Sequence, residues 1–98
     1  MRIEILSDAQ EDLVAGAKFY EKQGAGLGGY FLDSLYSDID SLLVYAGIHR
    51  SMFGFHRALS KRFPYAIFYR LDPQKNTVRV YRVLDLRRDP SWIRERLK

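Results

Sequence analysis

Phe53-Gly-Phe-His-Arg-Ala-Leu59, Phe63-Pro-Tyr-Ala-Ile-Phe-Tyr-Arg-Leu71 and Thr77-Val-Arg-Val-Tyr-Arg-Val-Leu84 carry the pattern that decides the fold. Each is rich in aromatic and β-branched residues, and from Met52 onward the apolar period is two, so the three stretches read as strands. Ser60-Lys61-Arg62 separates the first pair and Asp72-Pro-Gln-Lys-Asn76 the second, both with turn chemistry, which makes the set a meander. In the middle strand Phe63, Tyr65, Ile67, Tyr69 and Leu71 share one face and read as core, with Ala66, Phe68 and Arg70 on the other. In the third, strict alternation puts Arg79, Tyr81, Val83, Asp85 and Arg87 on one face and Arg82 with Val80 and Leu84. An arginine among core positions marks either a snorkelling side chain at a sheet edge or a bulge, and the pattern leaves both open.

Upstream of the meander the period is helical. Arg2-Ile-Glu-Ile5 alternates as a short strand; Ser7 with Gln10 forms a capping-box pattern, and Leu13, Ala17 and Tyr20 follow at helical spacing, predicting a helix over about 8–22. The glycines from Gly24 to Gly29 end it. Phe31, Leu35, Ile39 and Leu42 line one face of a second helix, with Asp33, Asp38 and Asp40 largely on another. The short connection predicts an antiparallel helical hairpin. Downstream, Asp89-Pro90 supplies an N-cap and a first-turn proline for a terminal helix from Trp92 to Lys98. The order β-α-α-β-β-β(-α) makes residues 1–98 one α+β domain, with a helical hairpin packed on one face of a mainly antiparallel sheet.

With 98 residues, 47% of them hydrophobic, the chain suits a single modest core. The absence of cysteine rules out a disulfide framework, a thiolate metal site and a cysteine nucleophile. No apolar run nears the roughly 18 residues of a membrane span, and the first residues lack a secretory plan, so a cytoplasmic protein without membrane contact is expected. The net charge of +4 is uneven: residues 1–49 hold three Lys/Arg and eight Asp/Glu, net −5, whereas residues 50–98 hold thirteen and four, net +9. A basic half of this kind, carried by folded strands, suits a polyanion or an acidic protein segment.

Several motifs carry little weight. Gly24, Gly26 and Gly29 satisfy G-x-G-x-x-G, but a helix precedes them where the dinucleotide fingerprint needs a strand. His49 and His56 lack metal-ligand spacing, and no serine sits in G-x-S-x-G, so neither cofactor nor metal is expected.

Phe55-His-Arg-Ala-Leu59, Arg62-Phe-Pro-Tyr-Ala-Ile-Phe-Tyr-Arg70 and Val83-Leu-Asp-Leu-Arg-Arg-Asp-Pro90, together with Gly26-Leu-Gly-Gly-Tyr-Phe31, resemble the RelE/ParE superfamily, the toxins of type II toxin–antitoxin modules, also called plasmid stabilisation proteins. The resemblance implies the element order derived above, a basic surface on the sheet face away from the hairpin, and a cognate antitoxin with an acidic toxin-binding segment. It leaves the activity divided. The ParE-like branch inhibits DNA gyrase; the RelE-like branch cuts mRNA on the ribosome without a metal.

RNA cleavage by 2′-hydroxyl attack needs a proton acceptor, a proton donor and cations for the phosphorane, and arginine cannot be the base. By motif, Arg57 and Arg87 match the ribonucleases' basic positions and are the catalytic candidates under that reading. The chain has Leu59 where those enzymes carry a second lysine, Ala66 where they place an arginine, Asp85 where some place a histidine, and Ile93, beside Trp92, at the terminal aromatic position. Asp85, Lys61, Tyr81 or His56 could replace the missing base only if burial or a bulge arranged it. The departures favour a ParE-like gyrase inhibitor, with Arg70, Arg88, Lys61, Arg62 and Tyr81 as target-binding or nucleic-acid-binding residues. The alternatives are a RelE-like ribonuclease acting on ribosome-bound mRNA, and a degenerate module that only binds an antitoxin or nucleic acid.

Overall fold

A computed structural model describes residues 1–98. The chain runs β1 (Arg2–Ile5), α1 (Ser7–Glu21), α2 (Leu27–Asp40), α3 (Leu42–Tyr45), β2 (Ser51–Met52), β3 (Phe55–Leu59), β4 (Tyr65–Asp72), β5 (Thr77–Asp85) and α4 (Pro90–Arg96). One five-stranded sheet has the order β1-β5-β4-β3-β2, antiparallel throughout except for the parallel pairing of β1 with β5. The α+β architecture expected from the periodicities is the one observed.

Helices α1 and α2 pack antiparallel: Gly28 lies against the Ala17 carbonyl and Gly16 against the Phe31 ring, so ascending positions on one helix meet descending positions on the other. Their apolar faces, joined by Leu42 at the start of α3, close the larger core on one side of the sheet, where Leu13, Phe31, Leu35, Ile39 and Leu42 meet Tyr65, Ile67, Tyr69, Val78, Val80 and Val83. Gly26 takes φ 86°, which glycine adopts without strain, and the Glu21 carboxylate accepts from the Gly26 and Gly28 N–H groups, satisfying donors at the start of α2.

Five sequence expectations need correction. The capping box at Ser7 does not form. Leu6 donates its N–H to the Val80 carbonyl, so strand bonding runs to the last residue before the helix; Ser7 is already helical, and the Gln10 side chain bonds the Ile5 carbonyl. Asp38 is buried, not solvated, because its carboxylate accepts from the Ser60 hydroxyl at 2.7 Å. The strand expected over 53–59 is split by a two-residue turn at Phe53–Gly54, with Met52 paired to Phe55. Strict alternation fails in β5, where Phe68 opposes Arg82 but Tyr69 opposes Val80, leaving Tyr81 as the extra residue of a bulge.

The fifth correction concerns the face away from the hairpin. It is not an open basic surface: Phe55, Ala66, Phe68 and Leu84 form a second core there, roofed by Ile93 and Leu97 at the end of the chain. Asp89 caps α4 by accepting from the Ser91 N–H, with Pro90 at the first position, as the sequence predicts.

Candidate target-binding surface

The bulge at Tyr81 decides which side chains share the α4 face. Without it Arg79 and Tyr81 would lie opposite Arg82 and Leu84; with it all four point to the side of Phe55 and Phe68, while Val78, Val80 and Val83 stay in the larger core. Register adds Arg57, opposite Phe68 on β3, and Arg70, opposite Arg79 on β4. Four guanidiniums therefore come to one face of the meander.

They divide into two kinds. Arg79 is neutralised, with Nη1 at 2.7 Å from Asp72 and Nε at 3.1 Å from Glu4. Arg82 is held by both oxygens of Asp12 at 2.7 and 2.8 Å, and its Nη1 donates to the Arg96 carbonyl at the end of α4. Because β1 ends at Ile5, the edge of β5 beyond Val80 lacks a strand partner; Asp12 from α1 takes that place and accepts from the Val83 N–H as well. Arg82 thus sits both at a bulge and at an edge.

Arg57 and Arg70 have no carboxylate partner. The Arg70 guanidinium lies 3.9 Å from the Phe55 ring centroid and 5.3 Å from that of Tyr81, and its Nε donates to the Gly54 carbonyl. Such stacking orients the cation while leaving its remaining donors for a ligand. The Nε of Arg57 is buried without a hydrogen-bond partner, an unfavourable arrangement in the isolated chain. Tyr81 lies edge-on to Phe55 beside them. Arg57, Arg70 and Tyr81 form the site's centre.

The other candidates lie elsewhere. Lys61 and Arg62 are exposed on the β3–β4 connection, where the Lys61 N–H also bonds Asp38. Arg87 follows β5 and grips Asp85 through Nε and Nη2 at 3.0 and 2.9 Å, with Nη2 also reaching the Tyr20 hydroxyl of α1. It therefore points to the hairpin side, away from Arg57, and the two ribonuclease candidates are not brought together. Burial pushes the Asp85 carboxyl up, but the Arg87 hydrogen bonds outweigh it and hold the group below its ordinary range. A carboxylate so fixed is a poor proton acceptor. Arg88 lies over Trp92 at 4.6 Å, at the rim of a cavity of about 410 Å³ lined also by Gly16, Phe19, Tyr65 and Asp85. Burial, then the Asp85 carboxylate, pushes Tyr65 up to about 12, so it stays protonated at neutral pH.

His56 faces the hairpin side, stacked on Tyr69 and bonded through Nδ1 to the His49 carbonyl. Of the substitute bases considered from the sequence, the bulge brings only Tyr81 to the face that Arg57 and Arg70 share, beside Arg70. The surface can hold an anion or a carboxylate, but no free base stands beside its cations.

The sequence did not point to Asp12, Glu4 and Asp72 as the carboxylates that remove Arg82 and Arg79 from the binding inventory. Glu4 and Asp12 lie more than half the chain away from their partners, and no local pattern encodes such a pairing.

Comparison with known proteins bears on the same question. A family profile described as ParE toxin of type II toxin-antitoxin system, parDE, matches residues 3–90. A solved structure described as the chromosomal ParDE TA system from P. aeruginosa is similar at a TM-score of 0.77 and 15% identity, over 88% of this chain and 96% of that one. At that identity the likeness is one of fold. No curated protein matches.

Proposed function

Because the chain belongs to the ParE toxin family of type II toxin–antitoxin systems, we propose that it arrests growth by binding DNA gyrase and that a cognate antitoxin with an acidic segment neutralises it in the cytoplasm. The observation that carries this reading is the pair of uncompensated guanidiniums, Arg57 and Arg70, set among Phe55 and Tyr81 on one sheet face with no free proton acceptor beside them. Such a surface binds and does not cut. Cations without carboxylate partners also fit an acidic antitoxin segment, which would supply the missing counter-charges. The separation of Arg57 from Arg87, and the commitment of Asp85 to Arg87, count against a ribosome-dependent ribonuclease.

Purified protein added to a gyrase supercoiling assay is expected to block supercoiling and to leave mRNA on translating ribosomes intact. Fresh cuts in ribosome-bound message, with supercoiling unaffected, would replace this reading with the ribonuclease. Neither effect would reduce the chain to a binding module. Co-purification with the acidic product of an adjacent gene tests the antitoxin.

A further inference from the structure

The β2–β3 hairpin turns on Phe53 and Gly54, both left-handed, at φ 55° and 84°. With Met52 paired to Phe55 across them, this is the two-residue type I′ geometry, which favours Asn, Asp or Gly at its first position. A bulky aromatic residue there is strained. The ring adds to neither core: Phe53 is 44% exposed and takes no part in the stacking of Phe55, Arg70 and Tyr81. A strained turn that presents an aromatic ring to solvent points to a use outside the molecule.

The surroundings indicate the kind of partner. The turn is tied to the cationic site, since the Gly54 carbonyl accepts from Arg70 Nε at 3.1 Å, so the exposed ring and the unpaired guanidinium are held as one unit. An aromatic residue beside an arginine is the composition of an interface anchor: the ring fills a pocket and the guanidinium meets an acceptor at its rim. The segment from Ser51 to Gly54 carries no charge, which suits a protein pocket better than a phosphate backbone, whose binding calls for cations along its path.

We propose that Phe53, at the tip of the β2–β3 hairpin, enters an apolar pocket of this toxin's protein target while Arg70 pairs with a carboxylate at the pocket's edge. The inference rests on the reading that the chain inhibits gyrase. It assigns Phe53 to the target and makes Arg70, one of the free cations that an acidic antitoxin would neutralise, common to both partners.

Phe53→Asn supplies the side chain the turn prefers and removes the ring. The melting temperature of the variant is expected to rise by about 4–8 °C, as relief of such strain gives in a domain of this size, while the concentration needed for half-inhibition of supercoiling rises at least about tenfold, the usual loss at an interface anchor. Phe53→Tyr, which keeps ring and strain alike, rescues inhibition. If the wild-type chain inhibits gyrase and Phe53→Asn inhibits equally well, the role of Phe53 is overturned and the gyrase reading stands. A wild-type chain that leaves supercoiling untouched removes that reading and this inference together. A fall in melting temperature would overturn the strain argument. Weakened binding of a labelled oligonucleotide, with supercoiling inhibition unchanged, would assign the ring to base stacking instead.

Discussion

Replacing Asp12 by Ala tests whether the arginines of the sheet face divide into structural and free ones. Asp12 accepts three hydrogen bonds, from Arg82 Nε at 2.8 Å, Arg82 Nη2 at 2.7 Å and the Val83 N–H at 3.0 Å. The two side chains are 14% and 19% exposed, so the ion pair is mostly withdrawn from water. Removing one partner of a buried pair costs about 3–5 kcal/mol, because the other charge stays buried and unpaired. Residual solvent contact of Arg82 places the expected loss at the lower end, about 3 kcal/mol. For a domain of this length that corresponds to a melting temperature lower by roughly 12–24 °C. Asp12→Asn can still accept from Val83 but cannot neutralise Arg82, so its loss should be intermediate. Urea denaturation followed by circular dichroism measures all three proteins, and the slope of free energy against urea should stay constant if only the clamp is lost. A loss below about 1 kcal/mol, the value of a surface ion pair, would refute the clamp and with it the argument that Arg82 is unavailable to a ligand.

Three further outcomes follow from the geometry. Arg57→Met keeps most of the apolar stem and removes the partnerless Nε, so stability in urea should rise by about 1 kcal/mol while supercoiling inhibition weakens; a loss of stability would show that the Nε is not stranded. Gly28→Ala places a Cβ 2.7 Å from the Ala17 carbonyl and should cost about 1–3 kcal/mol, whereas Gly29→Ala meets nothing within 4 Å and should be neutral or slightly stabilising; equal effects would contradict the close helix contact. The N–H groups of Gly28 and Gly26 lower the Glu21 carboxyl from its ordinary 4.5. A lowered folded value means that the unfolded chain binds the proton more readily, so this contribution is complete above 4.5 and disappears as pH falls through the folded value. Melting curves of wild type and Glu21→Gln should therefore converge in acid; a gap that stays constant from pH 7 to pH 3 would refute the cap.

The element order and the face of β4 toward the hairpin were legible because periodicity and turn chemistry are properties of neighbouring residues. Phe31, Leu35, Ile39 and Leu42, and Tyr65, Ile67 and Tyr69, lie in the larger core as their spacing predicted. Local reading failed where a distant partner competed. Ser7 lost its capping role to a strand bond between Leu6 and Val80, and alternation in β5 gave way at Tyr81, where Asp12 replaces a strand along the open edge. Phe53-Gly54 ran unbroken into a strand pattern because Phe is not a turn residue, although Gly54 beside it was the available signal.

From the sequence alone came the α+β class, the likeness to a toxin family and the basic C-terminal half. Which of those cations remain available was decided only by tertiary structure. Charge availability depends on carboxylates that the fold delivers from 70 and 75 residues away, Asp12 to Arg82 and Glu4 to Arg79. Composition counts such charges, but only folding brings opposite charges within the few ångströms at which they cancel.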